Sequence, residues 1–288
     1  MSLKSLKCGI LPGESTPVVK RLNEPLRAYL ETRLRMPVEL VVGTNYAATG
    51  EALRRGDIDI AYLGPVTYIL QSRSARLEPF ARPTHPDVGP TFQAAIIVPR
   101  DSFALSLSDL KGKEVAFGDL ASTSGSWVPR YQLLEVGLVA DRDYVRRILG
   151  AHDAVAAAVA AREVAAGGLS LPVFQRLVRE EKIDPGLVRI LAVSQPIPEY
   201  MWTFREGLSP QLRAEIRNAF IRLDDRAALG VFRAESFIPA VDPDVDRVRQ
   251  WMETILQVKL KPSSLPWPPI TPSDIKRSGS AAVYPISF

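Results

Sequence analysis

The sequence predicts an α/β protein built on parallel sheets. Two observations carry that expectation. Between residues 6 and 194, short apolar runs alternate with amphipathic stretches, the rhythm of βαβ units. Four dipeptides, Thr16-Pro17, Gly64-Pro65, Ser209-Pro210 and Asp242-Pro243, read as helix starts, with a capping residue ahead of a proline at the first helical position. At 288 residues the chain has room for about two domains. Its 46% hydrophobic and 24% charged residues match a soluble globular protein with ample core.

The elements follow in order. A strand is expected over 6–11, then a helix capped by Thr16. Val19, Leu22, Leu26, Leu30 and Leu34 form that helix's apolar stripe, at spacings of three and four. A strand over 38–42, a helix over 47–55 ending at Gly56, a strand over 58–63 and a helix from Pro65 to about Gln71 complete a first unit with a strand over 94–98. The pattern restarts at Ser106: a strand over 114–117, a loop 118–125, helices over 126–135 and 153–161, a strand over 164–169, a helix over 172–181 and a strand over 188–194. From Ser209 onward the chain reads as helical to about Leu256. These units divide into lobe 1 (1–98 plus 207–256), lobe 2 (99–206) and a tail over 257–288. The tail's six prolines and six serines show no periodicity, as in a disordered or loosely draped segment.

Composition removes several function classes. No run of about 18 apolar residues exists, so no transmembrane helix and no direct membrane insertion are expected. One cysteine, Cys8, excludes an internal disulfide framework and a thiolate zinc cluster, and two histidines make a histidine-rich metal site improbable. Cys8 falls in the first strand and is expected to pack as a small hydrophobe. The net charge is +4, but the tail alone holds +3 of it, so the body is nearly neutral and nucleic-acid binding is not expected. The residues ahead of the first strand lack the long apolar region and cleavage site of a secretory leader. They are compatible with a cytosolic chain and with one whose leader has been removed.

The segment Asp119-Leu120-Ala121-Ser122-Thr123-Ser124-Gly125-Ser126 carries the most chemistry. Three consecutive hydroxyls sit between a strand end and a helix start, where backbone amides are unpaired and the helix dipole favours an anion. Helix capping would explain one such residue; three in a row point to an anion cradle. Tyr62-Leu63-Gly64-Pro65 sits at the C-terminal end of a buried strand, where ligands bind in open α/β sheets. By itself it also reads as a plain helix start with core aromatics. Thr44-Asn45-Tyr46 ends the preceding strand and is placed to share its crevice. His152 opens a helix and could complement an anion or donate one hydrogen bond. The G-x-S-x-G, P-loop and G-x-G-x-x-G patterns are all missing. Only an imagined Ser124/His152 dyad would support a hydrolase.

Taken together, Gly9–Ser15, Asn45-Tyr46, Gly56–Pro65, Asp109–Lys113, Ala116–Asp119, Ser122–Ser124, Gly150–Val155 and Gly167–Ser170 closely resemble the phosphonate- and phosphite-binding proteins of ABC importers. The resemblance runs in order over about residues 6–256. It implies a type II periplasmic-binding-protein fold, with two α/β lobes closing on a small oxyanion. It further implies periplasmic location, an ABC permease as partner, a monomer, no cofactor and no bond chemistry. A ligand-sensing domain of the same fold is the alternative. By this resemblance Tyr46 and Tyr62 are pocket tyrosines, Ser122, Thr123 and Ser124 the oxyanion cradle, and His152 the pocket histidine. Phe92 stands where relatives commonly carry a tyrosine. Ala165 stands where they carry an aspartate, which implies a pocket short of one acceptor and less selective for protonated phosphite-like ligands.

Overall fold

The computed structural model of the chain describes residues 4–260. Two twisted sheets hold the architecture. In the six-stranded sheet, Leu6–Ile10 lies between Val38–Val42 and Ile60–Leu63, all three parallel. Antiparallel strands Met201–Phe204, Glu78–Thr84 and Ser236–Ile238 extend it on the Ile60–Leu63 side. In the five-stranded sheet, Glu114–Gly118 lies between its parallel neighbours Val145–Gly150 and Ala166–Ser170. Ala94–Pro99 and Val188–Val193 add antiparallel strands beyond Ala166–Ser170.

The chain crosses between the sheets through Thr91–Phe92 and Ile197–Pro198, which pair as a short antiparallel ribbon. This ribbon moves two strands relative to the expected division. Ala94–Pro99, expected in lobe 1, belongs to the five-stranded sheet, and Met201–Phe204, expected in lobe 2, belongs to the six-stranded one. Apolar periodicity identifies a strand but carries no information on which sheet it joins. Two further expectations are corrected. The segment after Ser209 is not wholly helical, because Ser236–Ile238 pairs with Glu78–Thr84; three residues are too few to show a period. Helix Asp246–Leu260 runs past Gln257, where the tail was expected to begin, and the rest of the 257–288 segment lies outside the described residues.

Local chemistry sets the helix starts. Ser209 Oγ accepts from Leu212 N ahead of Pro210, as expected. Asn45 Oδ1 accepts from Ala48 N, so helix Tyr46–Arg55 begins one residue earlier than its apolar pattern suggested. Helix Thr16–Leu34 takes Ser15, not Thr16, as its N-cap, again ahead of the proline. Gly56, with φ of 81°, closes helix Tyr46–Arg55.

Helices cover both faces of each sheet. Leu26 and Leu30 pack with Trp202, Phe204 and Phe220 on one face of the six-stranded sheet. Each such side chain contributes about 1.5–3 kcal/mol on burial. Cys8 is fully buried in this cluster, its thiol pushed up by burial and by Asp59, and it behaves as the expected small hydrophobe. The opposite face joins the two sheets: Leu63 and Val66 pack with Ala121, Val128 and Trp251. Trp251, on the C-terminal helix, stacks on Tyr131 with ring centroids 5.3 Å apart. On the same side Tyr68 donates to Asp242 Oδ1 at 2.7 Å.

Candidate functional site

The C-terminal ends of six parallel strands bring the chemistry together. Those of the first sheet lead into Gly13, Tyr46 and Gly64; those of the second lead into Asp119, His152 and Ser170. Facing sheets with strand ends meeting at one crevice is where open α/β folds bind ligands. A cleft of about 580 Å³ lies there, and Tyr46, Tyr62, Phe92 and His152 all line it.

The hydroxyl triplet sits deeper. Ser122, Thr123 and Ser124 are 0% exposed and lie behind the cleft wall instead of on it. They open a wide π-helical turn, Thr123–Trp127, ahead of helix Val128–Glu135. Such turns place backbone groups outside the regular ladder and recur at functional sites. Ser122 Oγ accepts from Gly125 N at 3.0 Å, and Thr123 Oγ1 accepts from Val66 N at 3.0 Å. Ser124 Oγ and Ser126 Oγ are buried with no hydrogen-bond partner in the protein. Ser124 Oγ lies near enough to the Tyr200 hydroxyl to ease its ionisation, yet outside hydrogen-bond geometry.

The lid over this corner is aromatic. Tyr200 packs on Gly64, where an added Cβ would stand 2.9 Å from its Cζ, so the close approach allowed by that glycine is used by a ring. Burial pushes the Tyr46 hydroxyl up to about 12, against the easing effect of its neighbours Ser122 and Tyr200. Both tyrosines therefore stay protonated donors at neutral pH. Tyr62 packs against Tyr200 with tilted rings at 5.3 Å and meets Phe232 edge-on at 5.1 Å. Phe92, from the crossing ribbon, meets Tyr200 edge-on at 5.6 Å.

His152 is 4% exposed and neutral, its pKa lowered to about 4 by burial and by the nearby Arg176 charge. Its Nδ1 accepts from Ser170 N at 3.3 Å, so the ring proton belongs on Nε2, on the side of Gly13. The ring packs on Gly125, where a Cβ would stand 2.9 Å from His152 Cε1. Any side chain at position 125 would therefore have to displace the imidazole.

Contacts tie the sheets together around the site. Asp119 accepts from Tyr46 N at 3.0 Å and from Ala121 N at 2.7 Å. Thr67 Oγ1 donates to Ala121 O at 3.1 Å, His152 N donates to Gly13 O at 3.2 Å, and Arg176 pairs with Glu14.

Ala165 is the misplaced residue. It precedes strand Ala166–Ser170, with its amide donating to Glu114 O, and lines a separate surface groove beside Lys113 and Arg162. The same strand reaches the cleft at its other end, through Ser170. The expected loss of a pocket acceptor at Ala165, and the looser selectivity drawn from it, is therefore corrected. Ala165→Asp is expected to change oxyanion affinity by no more than about twofold in calorimetric titration, the reach of a surface substitution.

Sequence reasoning missed Ser170, Glu199, Tyr200 and Arg176 as lining residues. Ser170 was legible: it ends a parallel strand and follows Gly167-Gly168, so the strand-end rule applied to it. Glu199 and Tyr200 follow the ribbon strand Ile197–Pro198, too short to show a period. Glu199 accepts from Tyr200 N at 2.9 Å and pairs with His85 Nε2 at 2.9 Å. That carboxylate raises the His85 pKa above 6.5, against the opposing effect of burial. The raised value stabilises the fold fully below pH 6.5, and the contribution is lost as pH rises through the folded-state pKa. Urea unfolding should show that alkaline decline, and Glu199→Gln should flatten it.

Among the described residues no cluster of histidine, cysteine and carboxylates has the makings of a metal site, and no helix is long and apolar enough to cross a membrane. Comparison with known proteins agrees on a relationship. The phosphate-import protein PhnD of Mycolicibacterium smegmatis is 25% identical over 276 residues, covering 85% of this chain and 84% of that protein. A binding-protein component of an ABC phosphonate transporter from Pseudomonas aeruginosa superposes with a TM-score of 0.82 at 22% identity, over 90% of this chain and 88% of that one. A Prochlorococcus marinus protein solved with methylphosphonate superposes at 0.81 with 20% identity, over 88% and 99% of the two chains. These superpositions show the two-lobed type II periplasmic-binding fold that the sequence resemblance implied. Residues 8–245 match the family model described as ABC transporter, phosphonate, periplasmic substrate-binding protein, and the chain belongs to that family of transport proteins.

Proposed function

We propose that the chain captures a small phosphorus oxyanion, a phosphonate, phosphite or similar, between two lobes and hands it to an ABC permease in the periplasm. It works as a monomer and breaks no bond. The observation that carries this reading is the pair of buried, unpartnered hydroxyls, Ser124 Oγ and Ser126 Oγ, at the mouth of a helix. A buried donor without an acceptor costs about 1–3 kcal/mol, and an anionic guest would recover it. Neutral donors flank the same corner: Tyr46, Tyr200 and the Nε2–H of His152. The lobes are the two sheets with their helices, and the crossing ribbon at Thr91–Phe92 and Ile197–Pro198 is their hinge.

The absence of bond chemistry is supported by the geometry of the imagined dyad. Ser124 Oγ has no hydrogen bond, and the acceptor nitrogen of neutral His152 is taken by Ser170 N. A serine nucleophile needs a base within reach. Calorimetric titration with phosphite, methylphosphonate, 2-aminoethylphosphonate, phosphate and sulfate tests the binding reading. At least one phosphorus oxyanion should bind with one-to-one stoichiometry; a flat trace for all of them would end it. Sedimentation in the same buffer should give a single species of monomer mass.

A further inference from the structure

The cleft in front of the hydroxyl corner is built for more than an oxyanion. A phosphonate head group has a handful of heavy atoms, whereas the cleft encloses about 580 Å³, within the range of pockets that hold whole organic ligands. Its wall beyond Tyr46 is made by the half-buried rings of Tyr62 and Tyr200, with Phe232 behind Tyr62.

The charges around the opening are one-sided. Four arginines line it, Arg21, Arg176, Arg179 and Arg233, against two carboxylates, Glu14 and Glu199. Both carboxylates are committed: Glu14 to Arg176, and Glu199 to His85. Among the described residues the guanidinium groups of Arg21, Arg179 and Arg233 have no ion pair. Arg21 lies on helix Thr16–Leu34 and Arg233 just past helix Arg226–Val231, both on the six-stranded side. Arg179 ends helix Leu171–Arg179 on the other side. Free cations thus approach the opening from both halves, in a chain whose body is otherwise nearly neutral.

We propose that the ligand carries a second acidic group. It would be an organophosphonate, or a phosphate monoester, whose phosphoryl end enters the hydroxyl corner. A short spacer lies along Tyr62 and Tyr200, and a distal carboxylate or second phosphoryl group meets Arg21, Arg179 and Arg233. This rests on the phosphorus-oxyanion reading above and narrows it. A ligand with a distal ammonium finds no uncommitted carboxylate in the cleft and meets the arginines with like charge.

Calorimetric titration of the full chain at low ionic strength, with 3-phosphonopropionate, methylphosphonate and 2-aminoethylphosphonate, tests it. Three exposed charge contacts together should favour 3-phosphonopropionate over methylphosphonate by about tenfold. The aminoethyl compound should bind more weakly than methylphosphonate. The advantage of the second acid should shrink with added salt, and the double substitution Arg179→Gln/Arg233→Gln should remove most of it. Methylphosphonate binding as tightly as the two-acid ligand, or the aminoethyl compound binding best, would overturn this inference and leave the phosphorus-oxyanion reading standing. Failure of all three to bind would instead overturn that underlying reading.

Discussion

Ser124→Ala is expected to move stability and binding in opposite directions. In the ligand-free protein Ser124 Oγ is buried with no partner, so its desolvation is uncompensated. Removing it should stabilise that state by about 1 kcal/mol or more, the low end of the cost of an unsatisfied buried polar group. The same hydroxyl is proposed to donate to the bound oxyanion. Losing a hydrogen bond to a charged group costs about 1.5–3 kcal/mol, or roughly 10- to 100-fold in affinity. Urea unfolding of the free protein and calorimetric titration with the best phosphonate measure the two halves. A variant that is both less stable and unchanged in affinity would make Ser124 a structural serine and remove the main support for the binding site. Thr123 is the useful contrast, because its Oγ1 already accepts from Val66 N and its replacement by valine leaves that amide stranded. Thr123→Val should therefore lose stability where Ser124→Ala gains it.

Much of this site was legible because its parts are punctuation. Serines at a helix mouth, a tyrosine after an asparagine cap, and Gly64-Pro65 after a buried strand each announce the end of one element and the start of another. In parallel α/β sheets those junctions are where ligands sit. Tyr46, Tyr62 and His152, which sit at such junctions, line one cleft; Phe92, placed by the resemblance alone, lines it from the crossing ribbon. The depth of the serines was not legible, since exposure depends on Tyr200 folding over Gly64 from a segment distant in sequence.

Ala165 shows the converse. The resemblance aligns Ala165 through the small residues Ala166-Gly167 that follow it, and such a run carries no information on which end of a strand reaches the cleft. Position 165 precedes the strand and position 170 ends it, so only the latter reaches the crevice. The boundary shifts at 94–99 and 201–204 share a cause. Sheet membership is a long-range property, decided by the ribbon at Thr91–Phe92 and Ile197–Pro198, and no local pattern encodes it.

The second large effect is an acid one. His152 is neutral in the fold with a pKa near 4, against an ordinary value of 6.5. Burial is the main cause and the Arg176 charge adds to it. Geometry points the same way: protonating Nδ1 would set an N–H against the Ser170 N–H that now donates to it. The unfolded chain therefore binds the proton more readily than the folded one. Stability from this residue is complete above pH 6.5, falls as pH drops towards 4, and levels off below that. The gap between 6.5 and about 4 corresponds to about 3 kcal/mol at full protonation. Surface carboxylates titrate over part of the same range, so the measurement is a difference between parent and His152→Asn. The asparagine side-chain oxygen can accept from Ser170 N as Nδ1 does, but takes up no proton. Urea unfolding at pH 7.5 and pH 4.5 should show the parent losing about 2–3 kcal/mol more than the variant. His85 cannot mimic this result, because its raised pKa makes acid stabilising through Glu199 and gives a term of opposite sign. Equal losses in parent and variant would mean that His152 takes up a proton in the fold as readily as in the unfolded chain, and the buried imidazole accepting from Ser170 N would be wrong.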